Sequence, residues 1–289
     1  MTEKLQTYRE WLNWGANTLK KAGNDAPRQE ARWLLLSMAG LDPVDLIRLD
    51  TQLFESQEIL ERFKEAIQRR TRHEPLAHIE GHIEFYGLTF KSDARALIPR
   101  SDSETLINVA MAYMPEDEQV SIADLGTGSG CLLLTLLHLR PKAIGQGVDQ
   151  SVDAIALAME NVRGLELSTR ATLFPQSWAD WDAWSDMDLI VSNPPYIESG
   201  VIASLDPDVR LFDPMDALDG GNDGLDAYRE IISLAAAKMQ QGARLVLEIG
   251  YDQGEAVQKL LGDHGFVEIR LDKDLGSRDR VVSARKQIG

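Results

Sequence analysis

The sequence predicts an α/β protein in which a small helical domain precedes a doubly wound domain. Three observations carry that expectation. Residues 1–80 show helical periodicity and few strand signals. From residue 120 onward, short apolar runs alternate with helical patterns. The first of those runs ends in a glycine-rich loop followed by an apolar helix. Strands alternating with helices pair as a largely parallel sheet covered on both faces. Ligands of such sheets bind beyond the carboxyl ends of the strands, near the switch in strand order.

The elements follow in order. "YREWLNWGANTLKKA" places Trp11, Trp14 and Leu19 close to one helical face. "APRQEARWLLLSMAG" opens with Pro27, suited to a first helical turn, and ends on Gly40, a helix stop. "ESQEILERFKEAIQRRTRHE" sets Ile59, Leu60, Phe63 and Ile67 on one stripe with charges opposite. In "GHIEFYGLTFKSDARALI", Phe85, Tyr86, Leu88 and Phe90 surround Gly87, which predicts a β-hairpin linker over 81–98. A helix starts in "PRSDSETLINVAMAYM", capped by Ser101 or Ser103, with Ile107, Ala110 and Met111 on its apolar face. Strands are expected at 120–125, 144–148, 171–174, 187–192, 244–250, 266–271 and 280–284. The resulting domains are 1–80, the 81–98 linker and 99–289.

Composition narrows the function classes. Of 289 residues, 44% are hydrophobic, enough for a sizeable core. The single cysteine, Cys131, excludes an intrachain disulfide. The charged, amphipathic start lacks the apolar core of a signal peptide, and no stretch approaches the roughly 20 apolar residues of a membrane span. A cytoplasmic protein is expected. Net charge is −16, of which −1 falls in residues 1–80 and −15 in the remainder. So acidic a domain repels a phosphate backbone at long range, and no DNA partner is expected.

Two motifs carry chemistry. In "ADLGTGSGCLLLTLLHLR", Gly126, Gly128 and Gly130 let the chain turn tightly and approach a ligand closely. A helix starting near Ser129 would point its N–H groups at that ligand. Asp149 ends the next strand, where a carboxylate can accept from ribose hydroxyls. The loop reads G-x-G-x-G with Asp124 before it, not the dinucleotide G-x-G-x-x-G. An acidic residue there orients the loop or meets a cationic ligand, which favours S-adenosylmethionine. In "DLIVSNPPYIES", Pro194 and Pro195 forbid the strand to continue past Asn193. One amide side chain, a rigid backbone and the ring of Tyr196 are thereby fixed at a strand end.

The order "DLGTGSG", Asp149, "NPPY" resembles that of the amino methyltransferases with the Asn-Pro-Pro-Tyr signature, among them DNA adenine and protein glutamine methyltransferases. "RRTRHEPLAHIEGHIEFYGLTFKSDARALIPRSDSETLI", "VRLFDPMDALDGGNDGLDAYREII" and "GSRDRVVSARK" are similar to segments of the peptide chain release factor glutamine methyltransferases, the PrmC or HemK family. The resemblance implies a Rossmann-like, S-adenosylmethionine-dependent methyltransferase domain and a helical domain that helps grip the release factor. It implies methyl transfer to the glutamine nitrogen of that factor's Gly-Gly-Gln loop. Asn193, Pro194 and Tyr196 would be catalytic, and with Pro195 would bind the substrate. Gly126, Thr127, Gly128, Ser129, Gly130, Asp149, Trp178 and Asn193 would hold the cofactor; no metal is implied, and the expected state is a monomer. The chain departs from the family's pattern at Ser177, where an acidic residue is usual, at Ser101 for proline and at Asp213 for glutamate.

Rival readings are a ribosomal-protein glutamine methyltransferase, a nucleic-acid adenine methyltransferase, which would need base flipping and a basic channel, and a non-catalytic cofactor-binding module. His78 and His82, four apart, could share a helix face but lack the partners of a metal site, and are read as surface residues. Cys131 reads as a buried small hydrophobe. "DGGNDG" reads as a turn beside the substrate cleft. Trp178 competes with Trp181 and Trp184 for the role of a plain core tryptophan. Glu248 and Tyr251 border the site or face solvent.

Overall fold

The computed structural model describes residues 6–54 and 56–288; the charged extreme start of the amphipathic segment lies outside them. The chain forms two compact units: one runs to Gly81 and also takes Pro207–Phe212, the other comprises His82–Asp206 and the residues from Asp213 onward.

The first unit is helical: α1 (Tyr8–Lys21), α2 (Pro27–Ala39), α3 (Pro43–Leu49), α4 (Gln57–Arg70) and α5 (Leu76–Glu80). A capping box between Thr7 and Glu10 starts α1. Pro27 opens α2, and Gly40 closes it in the left-handed conformation that glycine adopts without strain. The stripe expected on α4 is the buried one, with Leu60, Phe63 and Ile67 packed against Leu19, Leu34 and Leu35. Gly15 lets α1 approach α4, since a Cβ there would sit 2.9 Å from Phe63. Arg70 bridges Glu30 at 2.6 Å and Asp208 at 2.7 Å, the latter on a short helical turn, α9, described below in chain order. α3 was not expected from the sequence; Asp42 and Asp45 form a capping box around Pro43.

His78 corrects the reading of it as a surface residue. It is 6% exposed on the short α5, where the apolar Ile79 beside it is also buried. His82 lies beyond the end of that helix, in β1, and is exposed.

The second unit opens with the hairpin β1 (His82–Phe85) and β2 (Leu88–Lys91). Tyr86 and Gly87 both have positive φ (51° and 77°), the backbone of a tight two-residue hairpin turn. A 3-10 turn at Ser101–Ser103 leads into α6 (Glu104–Met111). Neither serine caps it with its side chain, because the chain enters α6 already in helical geometry at Ser103; Ser103 is turned instead toward the interior, 2% exposed.

Then strands alternate with helices: β3 (Ser121–Leu125), α7 (Cys131–Leu139), β4 (Ile144–Asp149), α8 (Val152–Gly164), β5 (Ala171–Pro175), β6 (Leu189–Ser192), α9 (Pro207–Arg210, in the first unit), α10 (Asp226–Lys238), β7 (Arg244–Glu248), α11 (Gly254–Asp263), β8 (Phe266–Lys273) and β9 (Asp279–Lys286). The sheet order is β5-β4-β3-β6-β7-β9-β8, parallel except for β9. It is buried on both faces. Ala123 and Leu125 join one core with Trp181, Trp184 and Tyr228, while Ile122 joins the other with the leucines of α7. In β6, Ile190 faces the first core, and Leu189 and Val191 the second. That two-sided burial is why these strands read as continuous apolar runs. Among the described residues no helix is long and apolar enough to cross a membrane.

Candidate active site

The strand order reverses at β3: β4 and β5 lie on one side of it, β6 and β7 on the other. Register then fixes the neighbours. Leu125 pairs with Ser192, so Gly126 and Asn193 leave the sheet side by side. Leu125 also pairs with Val148, which brings Asp149 alongside, and Ser192 pairs with Leu247, which brings Glu248 to the other flank of Asn193. Four residues from four strands therefore meet at the position where doubly wound sheets bind ligands.

The glycine loop hangs on β4 by bonds from the Gly126 and Thr127 N–H groups to the Val148 carbonyl (2.8 and 3.1 Å). Gly126, Gly128 and Gly130 all have positive φ, between 54° and 82°, where a side chain would strain the backbone. Asp149 accepts from the Gly128 and Ser151 N–H groups, both at 2.9 Å, so the carboxylate holds the loop and the start of α8 together. Each of its oxygens keeps a second lone pair for a ligand. Burial raises its pKa despite those two bonds.

A cleft of about 850 Å³ opens here, lined by Gly126, Gly128, Asp149, Trp178, Asn193 and Pro195 among others. Of the three neighbouring tryptophans, Trp181 and Trp184 are 2% and 0% exposed core residues, and Trp178 is the one on the cleft. Thr127 and Ser129 are buried beneath the loop. The Thr127 hydroxyl donates to Asp124 at 2.8 Å, and the Ser129 carbonyl accepts from the Asn161 amide at 2.9 Å. Gly130 sits at the start of α7, whose first residue is Cys131 and not Ser129. Ser177 lines the cleft, but its hydroxyl donates to Asp180 at 2.7 Å.

The segment after β6 is held from several sides. Pro194 is buried, and Asn193, Pro195 and Tyr196 are partly so. The Tyr196 carbonyl accepts from the Gln253 amide at 3.0 Å, and the same amide donates to the Gly224 carbonyl at 3.1 Å. The Gln253 side-chain oxygen accepts from the Gly250 N–H at 2.9 Å. Ile197 pairs with Asp219 in an isolated bridge, placing "DGGNDG" against this segment; Asp219 and Gly221 line the cleft. The approach is close. A Cβ on Gly220 would lie 2.8 Å from the Tyr196 Cα, and one on Gly224 would lie 2.4 Å from the Tyr196 carbonyl oxygen.

Two buried carboxyls flank the centre. Asp124 is 0% exposed and burial pushes its pKa up to about 7, against the bonds from Thr127 and the Leu133 N–H. Its Oδ1 has no partner. Glu248 is 1% exposed and is likewise pushed up to about 7 by burial, opposed by Ser103 and Arg280. Tyr251 is exposed. Burial also carries the Tyr196 phenol up to about 12 and the Cys131 thiol up to about 12, which leaves neither as a base or nucleophile near neutral pH. The aspartates Asp216, Asp219 and Asp226 and Glu230 add negative charge around the cleft, while its Arg95 is paired with Asp93 and Glu160. Such a lining, the open glycine backbone and the strand-end carboxylate together suit a nucleoside carrying positive charge.

The turn read in "DGGNDG" does stand beside the cleft, whereas sequence reasoning missed Gln253 and Ser103 as contributors to this site. Gln253 lies in a turn whose own pattern points to no ligand; only its reach across 57 residues to Tyr196 reveals it.

The methyltransferase small domain model matches residues 102–205, and the doubly wound unit superposes on a methyltransferase from Pyrococcus furiosus with a TM-score of 0.52 (14% identity, 71% of this chain and 91% of that one). The fold is thus that of a methyltransferase domain. Residues 10–81 match the PrmC N-terminal domain model. The chain is 40% identical to the release factor glutamine methyltransferase of Caulobacter vibrioides, over 91% of each. It is 38% identical to that of Geobacter sulfurreducens, over 99% of each. The chain belongs to the release factor glutamine methyltransferase family.

Proposed function

We propose that this chain transfers a methyl group from S-adenosylmethionine to the side-chain nitrogen of the glutamine in the Gly-Gly-Gln motif of peptide chain release factors. The observation that carries this is the emergence of Asn193 beside Gly126 into one cleft, a fixed amide next to a fixed nucleoside cradle. Bound S-adenosylmethionine supplies an electrophilic methyl group. Asp149 receives the ribose hydroxyls, Gly126 to Gly130 admit the methionine portion, and Trp178 packs near the adenine. Asn193 accepts one N–H of the substrate amide through Oδ1, and the Pro194 carbonyl accepts the other. The nitrogen lone pair is then turned toward the methyl group. Tyr196 lays its ring against the flat amide, and Pro195 keeps the backbone rigid. No general base is required before transfer. As the C–N bond forms, the electron pair of the broken C–S bond stays with the sulfur. The methylated nitrogen then releases one proton to water, in keeping with a site whose Tyr196 stays protonated. Both acceptors directly follow the end of β6, and Gln253 holds the Tyr196 carbonyl just beyond them, so the segment is preorganised for transfer.

The acidic cleft supports a protein substrate over a nucleic-acid one, whose backbone it would repel. The first unit, residues 6–81 with 207–212, helps grip the factor. The working state is a monomer in the cytoplasm. The deciding experiment is mass spectrometry of a purified, unmodified release factor incubated with this protein and S-adenosylmethionine, beside a factor whose Gly-Gly-Gln glutamine is replaced by alanine. One added methyl on the first and none on the second is expected. A methyl on a ribosomal-protein glutamine or on DNA instead would overturn the reading.

A further inference from the structure

One wall of the cleft is neither strand nor helix. Arg95, Ala96 and Leu97, in the linker after β2, line it, and a Cβ on Gly128 would lie 3.8 Å from that of Ala96. We propose that Asn161, on α8, is a positioning residue for the cofactor, its side-chain amide tying this linker to the glycine loop so that the cleft keeps a fixed width. The inference rests on the reading of the cleft as the cofactor's site.

The hydrogen bonds are specific. β2 belongs to a two-stranded sheet, and the peptide groups of its last residue, Lys91, meet Asn161 where a third strand would lie. The Asn161 side-chain oxygen accepts from the Lys91 N–H at 2.7 Å. Its NH₂ group donates to the Lys91 carbonyl at 3.3 Å and to the Ser129 carbonyl, in the glycine loop, at 2.9 Å. An amide offers one acceptor oxygen and two donor hydrogens, so all of them are in use. Asn161 is 4% exposed, and a buried group that loses such a partner has no water to replace it.

The rest of α8 supports the same junction. Ala154 and Leu157 cluster with Ala96, and a Cβ on Gly130 would lie 3.4 Å from that of Ala158. These residues and Asn161 fall at spacings of three and four, so one face of the helix touches both linker and loop. Glu160 adds bridges to Arg95 at 2.8 Å and to Lys91 at 3.0 Å, but these partly exposed pairs are worth little beside the buried amide. Asn161 itself does not line the cleft. It acts through Ser129 and Lys91. Without it the loop and the linker must be ordered at the moment of binding, which weakens affinity. The segment that carries Asn193 has its own support in Gln253, so the loss falls on binding and not on transfer.

The test is calorimetric titration of S-adenosylmethionine into the wild type, Asn161→Ala and Asn161→Asp. Steady-state kinetics on unmodified release factor and thermal unfolding are measured on the same samples. Asn161→Asp has nearly the same volume and still accepts from Lys91, but its carboxylate donates to neither carbonyl. Both variants should bind the cofactor about tenfold more weakly, the effect of one lost hydrogen bond. KM for the cofactor should rise in step, with kcat at saturation within about twofold of wild type. Wild-type affinity in a folded variant overturns the proposal. So does a loss in kcat without one in affinity, which would leave Asn161 a support of folding only. If neither variant folds, hydrogen exchange of the wild type decides. Cofactor binding should slow the amides of 91–97 together with those of 126–130, and unchanged exchange in 91–97 overturns the proposal. Asp149→Ala run alongside separates the premises: if it binds like the wild type, the cleft is not the cofactor's and this inference falls with it. If it binds weakly while Asn161→Asp binds normally, only the inference is lost.

Discussion

Asn193 and Asp149 sit close together yet should fail in different ways. In the proposed reaction Asn193 meets the substrate nitrogen, and its amide contacts Ser103 rather than the glycine loop. Asn193→Ala should therefore lower kcat by about 10²–10³, the usual effect of removing one preorganised partner of a transition state. Its cofactor dissociation constant, measured by calorimetry, should stay within about twofold. Asp149 does the opposite work. It anchors the Gly128 N–H, and in the proposed site its remaining lone pairs go to ribose. Asp149→Ala should weaken cofactor binding by about 10–100-fold, from lost charge-assisted bonds of about 1.5–3 kcal/mol. Both positions were legible in the sequence, because a strand end and a residue type are local properties. Ser103 was legible only as a helix cap. Its hydroxyl turns inward to meet the Asn193 amide, 90 residues away in the chain.

The next scale is that of loops between elements. The Asn-Pro-Pro-Tyr segment is rigid by its prolines, but its position is set by the turn at 219–224 and by Gln253. Gly224 has φ +71°, and a Cβ there would overlap the Tyr196 carbonyl and the Gln253 amide. Gly224→Ala should cost about 1–3 kcal/mol by thermal unfolding and reduce kcat, since the loop has to move to admit the methyl group. Gln253→Ala leaves the Tyr196 carbonyl and Gly250 N–H without their partner; about 1–3 kcal/mol of stability and part of kcat should go with it. Cofactor affinity is the control, since Gln253 does not line the cleft. The glycines of "DGGNDG" announced a turn. They did not announce what the turn presses against.

At the scale of the whole molecule, two carboxyls buried at the strand ends couple folding to pH. Asp124 has a folded pKa of about 7, well above its ordinary 3.8. The folded state holds that proton more tightly than the unfolded one. Its contribution is thus fully present below the unfolded pKa and is lost as pH rises through about 7. Asp124→Asn, which resembles the protonated form, should melt like the wild type near pH 4 and above it at pH 8. A constant difference across that range would remove Asp124 from the account. Glu248 shares this window, so Glu248→Gln should show the same pattern in unfolding.

Much of this architecture was determined by the sequence alone. The alternating runs specified a two-faced sheet, Pro194 and Pro195 specified where β6 ends, and the glycines specified a loop that approaches a ligand. These are local properties, set by side-chain period, missing N–H groups and missing Cβ atoms. The tertiary structure alone decided that β6 lies beside β3 and β7 beside β6, that Leu125, Ser192 and Leu247 share one level, and hence that Asn193 adjoins both Gly126 and Glu248. It also decided that His78 is buried and that Trp178, not Trp181 or Trp184, lines the cleft. The physical reason is that strand order and burial depend on how separate apolar faces find one another across the chain, and no single segment records its neighbours.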